Sequence, residues 1–221
     1  MWFSPQHVQW VHGYVGCGKS AIAQTIAERV AERDRLAGSF FCFRAGGDRG
    51  RIAKLPTTLA YQLALSIPMT ASIIRKTIEA DPGLLLPGAL SIATQMRRLV
   101  YEPLKGTVSI ASTLLRGPYL IIIDGLDECE DRQIVEELII GMLAYFQDNP
   151  SVPLRILITS RVEEHIRRHL QSDLVKMESL VDHAADKDIK TFLRTYFAEE
   201  AKGSRIIQAY GAQWPSEEQL A

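Results

Sequence analysis

The most constraining feature of this sequence is a glycine-rich motif near the start of the chain. Residues 13–20 read Gly-Tyr-Val-Gly-Cys-Gly-Lys-Ser and fit the pattern G-x-x-x-x-G-K-S/T without a mismatch. The preceding apolar run, Val8–His12, predicts a strand, and the following segment, Lys19–Arg35, has the apolar spacing of an amphipathic helix. A strand, a glycine-rich turn and a helix in this order predict a loop that wraps around phosphate groups.

Each residue type in this motif has a physical reason. Glycines let the backbone curl so that its N–H groups point at a phosphate, and the dipole of the following helix favours the anion. Lys19 is expected to reach the β- and γ-phosphates of ATP or ADP, and the Ser20 hydroxyl to ligate Mg²⁺. Cys17 is either a small residue that the turn tolerates or an oxidation-sensitive thiol. The predicted nucleotide-binding residues are Gly13, Gly16, Cys17, Gly18, Lys19, Ser20 and Ala21.

The rest of the chain alternates short apolar runs with longer segments of helical period. This pattern predicts an α/β fold in which a parallel sheet is flanked by helices. The predicted strands are Val8–His12, Ser39–Arg44, Tyr119–Asp124, Leu154–Ser160 and Leu174–Leu180. The predicted helices after Lys19–Arg35 are Leu55–Leu65, Ala71–Glu79, Leu90–Val100, Gln133–Phe146, Val162–Leu170 and Ala185–Phe197.

Composition narrows the class of protein further. The 221 residues are 47% apolar and 23% charged, which is typical of one globular domain or of part of a larger protein. A net charge of −1 offers no reason to expect binding to nucleic acid or to an anionic membrane. Three scattered cysteines make neither a disulfide framework nor a zinc motif, so a cytoplasmic location is expected. The sequence shows no transmembrane run and no secretory signal.

A second group of candidates follows the most apolar run of the chain. Tyr119–Asp124 reads YLIIID and predicts a central strand, buried on both faces, that ends in an acid. Asp124 lies where an acid that holds Mg²⁺, directly or through water, is expected. Asp127 and Glu128 follow at the carboxyl edge of the sheet, where either can position an attacking water, and Glu128 is slightly favoured. The alternative is a solvated acidic turn that caps the next helix.

Arg161 follows another predicted strand and is the candidate cation of this edge. A guanidinium there can sense a γ-phosphate and compensate the charge that grows during its transfer. Alternatively, Arg161 caps a helix or pairs with Glu163 or Glu164. His165 and His169 have the four-residue spacing of metal ligands, but without a third ligand they are interpreted as surface residues.

Seven stretches spread along the chain form a recognisable series of motifs. They are Trp10–Gly13, Gly18–Ala27, Ser39–Arg44, Pro56–Leu63, Asp124–Glu128, Ile158–Arg161 and Trp214–Glu218. In these stretches the chain resembles the NACHT family of STAND-type P-loop ATPases, particularly a fungal branch related to the N-terminal region of nephrocystin-like proteins. The resemblance covers nearly the whole chain.

The resemblance implies more than the residues alone. It implies a P-loop NTPase with a five-stranded, mostly parallel sheet of order 5-1-4-3-2 and helices on both faces. Asp124 would be the Walker B acid, Asp127 and Glu128 an additional acidic pair, and Arg161 the sensor-1 arginine. It further implies a switch in which ADP holds a closed state and ATP permits oligomerisation and signalling.

The same resemblance predicts the domain organisation. Residues 1–200 would form the nucleotide-binding domain, and residues 201–221 would begin a truncated C-terminal helical region. Partners would then be a nucleotide, further copies of the domain, and proteins bound through flanking domains that this chain lacks. No nucleic acid or membrane partner is expected.

Three hypotheses about function follow. The first is an ATP-binding, Mg²⁺-dependent NTPase core that hydrolyses ATP slowly at the β–γ bond. The second is an interaction module that holds a nucleotide without turning it over. The third is a small-molecule kinase, which would also need an acceptor site and a lid.

Overall fold

The sheet predicted from the apolar runs is present in the computed structural model, which describes residues 6–43, 52–86, 88–108 and 117–181. The chain divides into two compact units, Met1–Leu180 and Val181–Ala221. All described strands and helices lie in the first unit. The predicted helix Ala185–Phe197 and the predicted boundary at residue 200 lie outside the described residues.

Five strands in the described part of the chain form one sheet. They are β1 (Val8–His12), β2 (Leu36–Phe41), β3 (Tyr119–Asp124), β4 (Leu154–Ser160) and β5 (Val175–Ser179). Their order is β2-β3-β4-β1-β5, which is the implied order read from the opposite edge. Every neighbouring pair is parallel, so the sheet is wholly rather than mostly parallel.

The bounds of β2 differ most from the sequence prediction. The aromatic stretch predicted a strand over Ser39–Arg44, whereas β2 begins at Leu36 and ends at Phe41. The pairing of β2 with β3 shifts register between Leu36 and Gly38, which marks a bulge. Small residues at the start of a strand carry little β-propensity, so the sequence pattern missed them.

Helices connect the strands and cover both faces of the sheet. They are α1 (Lys19–Ala31), α2 (Leu55–Ser66), α3 (Pro68–Ala80), α4 (Ile92–Met96), α5 (Glu102–Thr107), α6 (Arg132–Asp148) and α7 (Glu164–Leu170). Short 3-10 turns occupy Ile52–Lys54, Pro82–Leu85 and Leu126–Glu128. A π-helical segment, Arg97–Tyr101, joins α4 to α5, so the predicted helix Leu90–Val100 is the first part of a longer helical run.

The core lies on both sides of the sheet. Ile121 and Ile123 of β3 pack in the larger cluster with helices α2 to α7, whereas Leu120 and Ile122 pack in a second cluster with α1. Alternate residues of a strand point to opposite faces, so a strand covered on both faces must be apolar throughout. This is the physical reason for the unbroken YLIIID run.

The parallel register brings four strand ends to one edge. His12 at the end of β1 pairs with Ser160 at the end of β4, and Phe41 at the end of β2 pairs with Asp124 at the end of β3. The loop that begins at Gly13 therefore leaves the sheet at the same edge as the acidic turn after β3. Since β4 separates β1 from β3, their backbones lie two strand spacings, roughly 10 Å, apart.

Helix α6 packs closely on α4 at Gly141, which contacts Ala93. A Cβ at Gly141 would lie 3.3 Å from the Cα of Ala93 and closer still to its Cβ. We expect Gly141→Ala to lower the free energy of unfolding by about 1–3 kcal/mol through overpacking, although alanine is the better helix former. Thermal unfolding followed by circular dichroism measures the effect.

Gly106 on α5 supplies the matched control for this substitution. A Cβ there would meet only the Cδ1 of Ile73, at an ordinary 3.6 Å. Gly106→Ala is therefore expected to leave the melting temperature unchanged or to raise it. Equal melting temperatures for the two variants would contradict the close approach of α4 and α6.

Candidate functional site

The Gly13–Ser20 loop has a backbone that requires its glycines. Gly16 and Gly18 have φ values of +79° and +84°, in the left-handed region that side chains disfavour. Gly13 is buried, and a Cβ there would lie 2.7 Å from the Sγ of Cys17. All three glycines of the motif are thus explained by backbone conformation or by close packing.

The loop passes directly into the N-terminus of α1. Gly18 is the N-cap residue, no side chain caps the helix, and no acidic residue lies in the first turn. The first N–H groups of an α-helix have no partners within the helix, and they carry a partial positive charge. Ser20 and Ala21 in this turn are exposed. The end of α1 can therefore donate several hydrogen bonds to an anion.

Lys19 adds a full positive charge to this loop. Its Nζ donates to the carbonyl oxygens of Gly13 at 3.0 Å and Tyr14 at 2.7 Å, and it lies 3.7 Å from the Sγ of Cys17. The ammonium group therefore lies against the loop to which it belongs. Tyr14 and Val15 at the tip are about three-quarters exposed, at 73% and 74%, so solvent reaches this side of the loop.

Asp124 is buried at the end of β3 and is oriented by a neighbouring strand. The hydroxyl of Thr159 on β4 donates to Oδ1 of Asp124. The same hydroxyl accepts a hydrogen bond of 3.2 Å from the backbone N–H of Gly125. Thr159, which is fully buried, therefore joins the acid to the turn that follows it. The sequence did not identify Thr159 as a site residue, because nothing in the pattern of β4 indicates that its hydroxyl binds Asp124.

Asp127 is engaged by Arg161. Its Oδ2 lies 2.8 Å from Nε of Arg161, and its Oδ1 accepts a 2.9 Å hydrogen bond from the Arg161 backbone N–H. The Asp127 side chain is only 3% exposed, whereas that of Arg161 is 42% exposed. Two candidate residues of the sequence analysis thus meet, and the Arg161 side chain forms its ion pair with Asp127 rather than with Glu163 or Glu164.

Glu128 lies beside this pair in a different environment. It ends the 3-10 turn Leu126–Glu128 and is half-buried, and its N–H donates to the carbonyl of Gly125 at 2.8 Å. The two acids that the sequence left as alternatives are therefore distinct in the structure, because Asp127 uses both carboxylate oxygens to hold Arg161.

The end of β4 is tied to β1 by a second buried contact. Trp10 Nε1 donates to the hydroxyl of Ser160 at 2.9 Å, and that hydroxyl donates to the carbonyl of Arg161 at 2.7 Å. Trp10 is 1% exposed, and Ser160 is fully buried. This contact connects the strand before the glycine-rich loop to the residue that carries the candidate cation.

The histidines do not form a metal site in the described residues. His169 Nε2 lies 3.8 Å from Glu136, which also pairs with Arg168. Burial, and then the charge of Arg132, lowers the pKa of His165. Within the part of the chain that the structure describes, no cluster of three or more His, Cys, Asp or Glu side chains could hold a metal ion.

The residues present fit a Mg²⁺–nucleotide complex. Mg²⁺ commonly takes one or two carboxylates and completes its octahedron with phosphate oxygens and water. Asp124 is such a carboxylate, and Ser20 supplies an exposed hydroxyl at the start of α1. A Cβ at Gly16 or Gly18 would meet nothing within 4 Å, which leaves these backbone positions open to a phosphate.

The fold and the site define an α/β protein with a parallel sheet that gathers a glycine-rich loop, an acidic turn and an arginine at one edge. The family model for the nephrocystin 3 N-terminal region matches residues 1–161. The chain therefore belongs to the nephrocystin 3 N-terminal family. The matched segment ends at Arg161 and so includes all the predicted site residues. No curated protein matches the chain.

None of the helices in the described ranges is both long enough and apolar enough to cross a bilayer.

Thr159 tests whether Asp124 depends on its hydroxyl partner. Thr159→Val keeps the shape of the side chain but removes the partner of both the Asp124 carboxylate and the Gly125 N–H. We expect the free energy of unfolding to fall by about 1–3 kcal/mol, because two buried polar groups lose a hydrogen bond. Thr159→Ser keeps the hydroxyl and serves as the control in chemical denaturation. A loss in Thr159→Ser with no loss in Thr159→Val would show that the methyl group, not the hydroxyl, matters.

Substitution of Arg161 tests how much its guanidinium stabilises the buried carboxylate of Asp127. Arg161→Ala leaves this carboxylate without its cation, so we expect a loss of about 1–3 kcal/mol at pH 7. In an Asp127→Asn background the same substitution should cost less, because no buried charge remains. Urea denaturation of the wild type, the two single variants and the double variant gives the coupling free energy between Asp127 and Arg161.

The exposed pair of Arg167 and Glu164 provides the control for the Arg161 experiment. Its side chains are 50% and 73% exposed, and Arg167→Ala should change stability by less than about 0.5 kcal/mol. If Arg161→Ala were as mild, the Asp127–Arg161 pair would not stabilise the acidic turn.

Proposed function

We propose that this chain is the nucleotide-binding core of a NACHT-type STAND P-loop NTPase, and that it binds ATP or ADP with Mg²⁺. The observation that carries the proposal is the Gly13–Ser20 loop. It combines unobstructed glycines, the N-terminus of α1 without a side-chain cap, and Lys19. These groups supply the N–H donors, the helix dipole and the charge that a polyphosphate needs.

The metal would be held between the loop and the acidic strand end. Ser20 and Asp124 are the proposed ligands, with Thr159 orienting the Asp124 carboxylate through its hydrogen bond. When bound, Mg²⁺ would neutralise phosphate charge. Lys19 would exchange its contacts with the loop carbonyls for contacts with phosphate oxygens.

Hydrolysis of the β–γ bond would involve the acidic turn and Arg161. Glu128 is the proposed residue for positioning water, because Asp127 is already paired with Arg161. Asp127 would act by positioning, since it fixes the guanidinium at the end of β4. Arg161, which is still 42% exposed, would respond to the charge of the γ-phosphate.

A second candidate function is nucleotide holding without turnover. The observation that favours it is the Asp127–Arg161 pair, because the Nε of the proposed sensor is engaged by a carboxylate within the protein. In such a state the nucleotide would act as a structural ligand, as expected for an ADP-bound resting form of a switch.

We also propose how this nucleotide-binding core acts in the cell. As part of a nucleotide-controlled switch, it would self-associate and signal through flanking domains of a longer protein. A cytoplasmic location is proposed as well, because the cysteines Cys17, Cys42 and Cys129 are all unbridged thiols.

Lys19→Ala tests nucleotide binding directly. Without this cation the phosphates lose a main charge partner, so we expect Mg²⁺–ATP and Mg²⁺–ADP binding to be lost in isothermal titration calorimetry. Lys105→Ala is the matched control, because Lys105 Nζ pairs with Asn149 on an exposed surface at 2.7 Å. Equal affinities for wild type and Lys19→Ala would refute the proposed site.

Glu128→Gln separates turnover from binding. The substitution keeps the shape of the side chain but removes the negative charge that polarises water, so phosphate release should fall by about a hundredfold while ATP binding persists. A wild-type chain that retains ADP and releases no phosphate would support the second candidate. Phosphate transfer to an added small-molecule acceptor, in preference to water, would instead indicate a kinase.

A further inference from the structure

A buried pair of thiols lies beside the proposed nucleotide site and has no role in it. Cys42 follows β2, Cys129 follows the 3-10 turn Leu126–Glu128, and their Sγ atoms are 2.9 Å apart. Both cysteines are unbridged and buried, at 5% and 4% exposure. The third cysteine, Cys17, is half-buried in the glycine-rich loop.

The backbone holds these two thiols together. The N–H of Cys42 donates to the carbonyl of Asp124 at 2.8 Å, which extends the pairing of β2 with β3 by one residue. Gly125 approaches so closely that a Cβ there would lie 3.2 Å from the carbonyl oxygen of Cys42. The contact of the sulfur atoms therefore depends on the sheet and the acidic turn. A disulfide would require the sulfurs to approach from 2.9 Å to the bond length of about 2.04 Å.

Only one of the two thiols lines a described cavity. Cys129 borders a cavity of about 270 Å³ together with Asp127, Glu130, Arg132, Glu163 and His165. A water molecule takes about 30 Å³ of liquid volume, so the cavity has room for hydrogen peroxide. Cys42 is not among its lining residues.

We propose that Cys42 and Cys129 form a two-electron redox site that a small hydroperoxide converts to a disulfide. The Cys129 sulfur attacks the peroxide, the O–O bond breaks, and a sulfenic acid forms with release of an alcohol or water. The Cys42 sulfur then attacks the Cys129 sulfur, the S–O bond breaks, and water leaves with the Cys42 proton. Two thiols and one hydroperoxide thus give a disulfide, one alcohol or water, and one further water.

The disulfide would link the end of β2 to the turn that carries Asp127 and Glu128. The two cysteines are 87 positions apart in the chain, so the cross-link would join elements that only the folded sheet brings together. The proposal does not depend on nucleotide binding, because it rests on the two sulfurs and the cavity alone.

Oxidation of the reduced wild-type chain with hydrogen peroxide at neutral pH tests this site. We expect two of the three thiols to be lost, with a fall in intact mass of about 2 Da for the two hydrogens removed. Non-reducing peptide mapping should find Cys42 joined to Cys129 within one chain, and dithiothreitol should restore both thiols. A disulfide that includes Cys17, a disulfide-linked dimer, or oxidation confined to Cys17 would overturn the proposal.

Three variants test the order of the steps. Cys17→Ser should form the disulfide at the wild-type rate. Cys42→Ser should stop at a sulfenic acid on Cys129, which dimedone traps as a stable adduct, because the second sulfur is absent. Cys129→Ser should slow oxidation of Cys42 by about tenfold or more, because the sulfur that lines the cavity is gone. A dimedone adduct on Cys42 in the wild-type chain would reverse the assignment of the two roles and overturn this part of the proposal.

Discussion

The parallel pairing of β3 and β4, buried on both faces, is the constraint on which the rest of this structure depends. Ile122 and Leu157 pack against α1, while Ile121 and Ile156 pack on the other face of the sheet. Neither strand has a solvated face, so the polar side chains of these strands lie near the strand ends, and Asp124, Thr159 and Ser160 lie where the chain leaves the sheet. Parallel pairing directs these exits to one edge, and the proposed chemistry is concentrated there for that reason.

Three polar side chains at this edge are buried, and each has a specific partner. Asp124 is bound by Thr159, Asp127 by Arg161, and Ser160 by Trp10. A buried polar group without a hydrogen bond costs more free energy than a typical hydrogen bond contributes, so the stability of the fold depends on these partners. The residues that would act on a nucleotide are therefore held by the same contacts that stabilise the ends of β3 and β4.

The sequence predicted much of the fold because its signals were local. β1, β3 and β4 have the predicted bounds, since each is an apolar run with clear ends. The start of β2 was wrong because a bulge and two small residues precede its aromatic stretch. The glycines of the loop also gave a local signal, because the left-handed backbone at Gly16 and Gly18 is a property of the turn itself.

The amino-acid sequence by itself determined the α/β class, the glycine-rich loop between β1 and α1, and the acid and arginine at the strand ends. Only the tertiary structure decided which of these residues touch. Asp127 and Arg161 are 34 positions apart, Asp124 and Thr159 are 35 apart, and the two thiols are 87 apart. The physical reason is that periodicity and turn chemistry act over a few residues, whereas these contacts exist only once strands of different chain position are aligned in register.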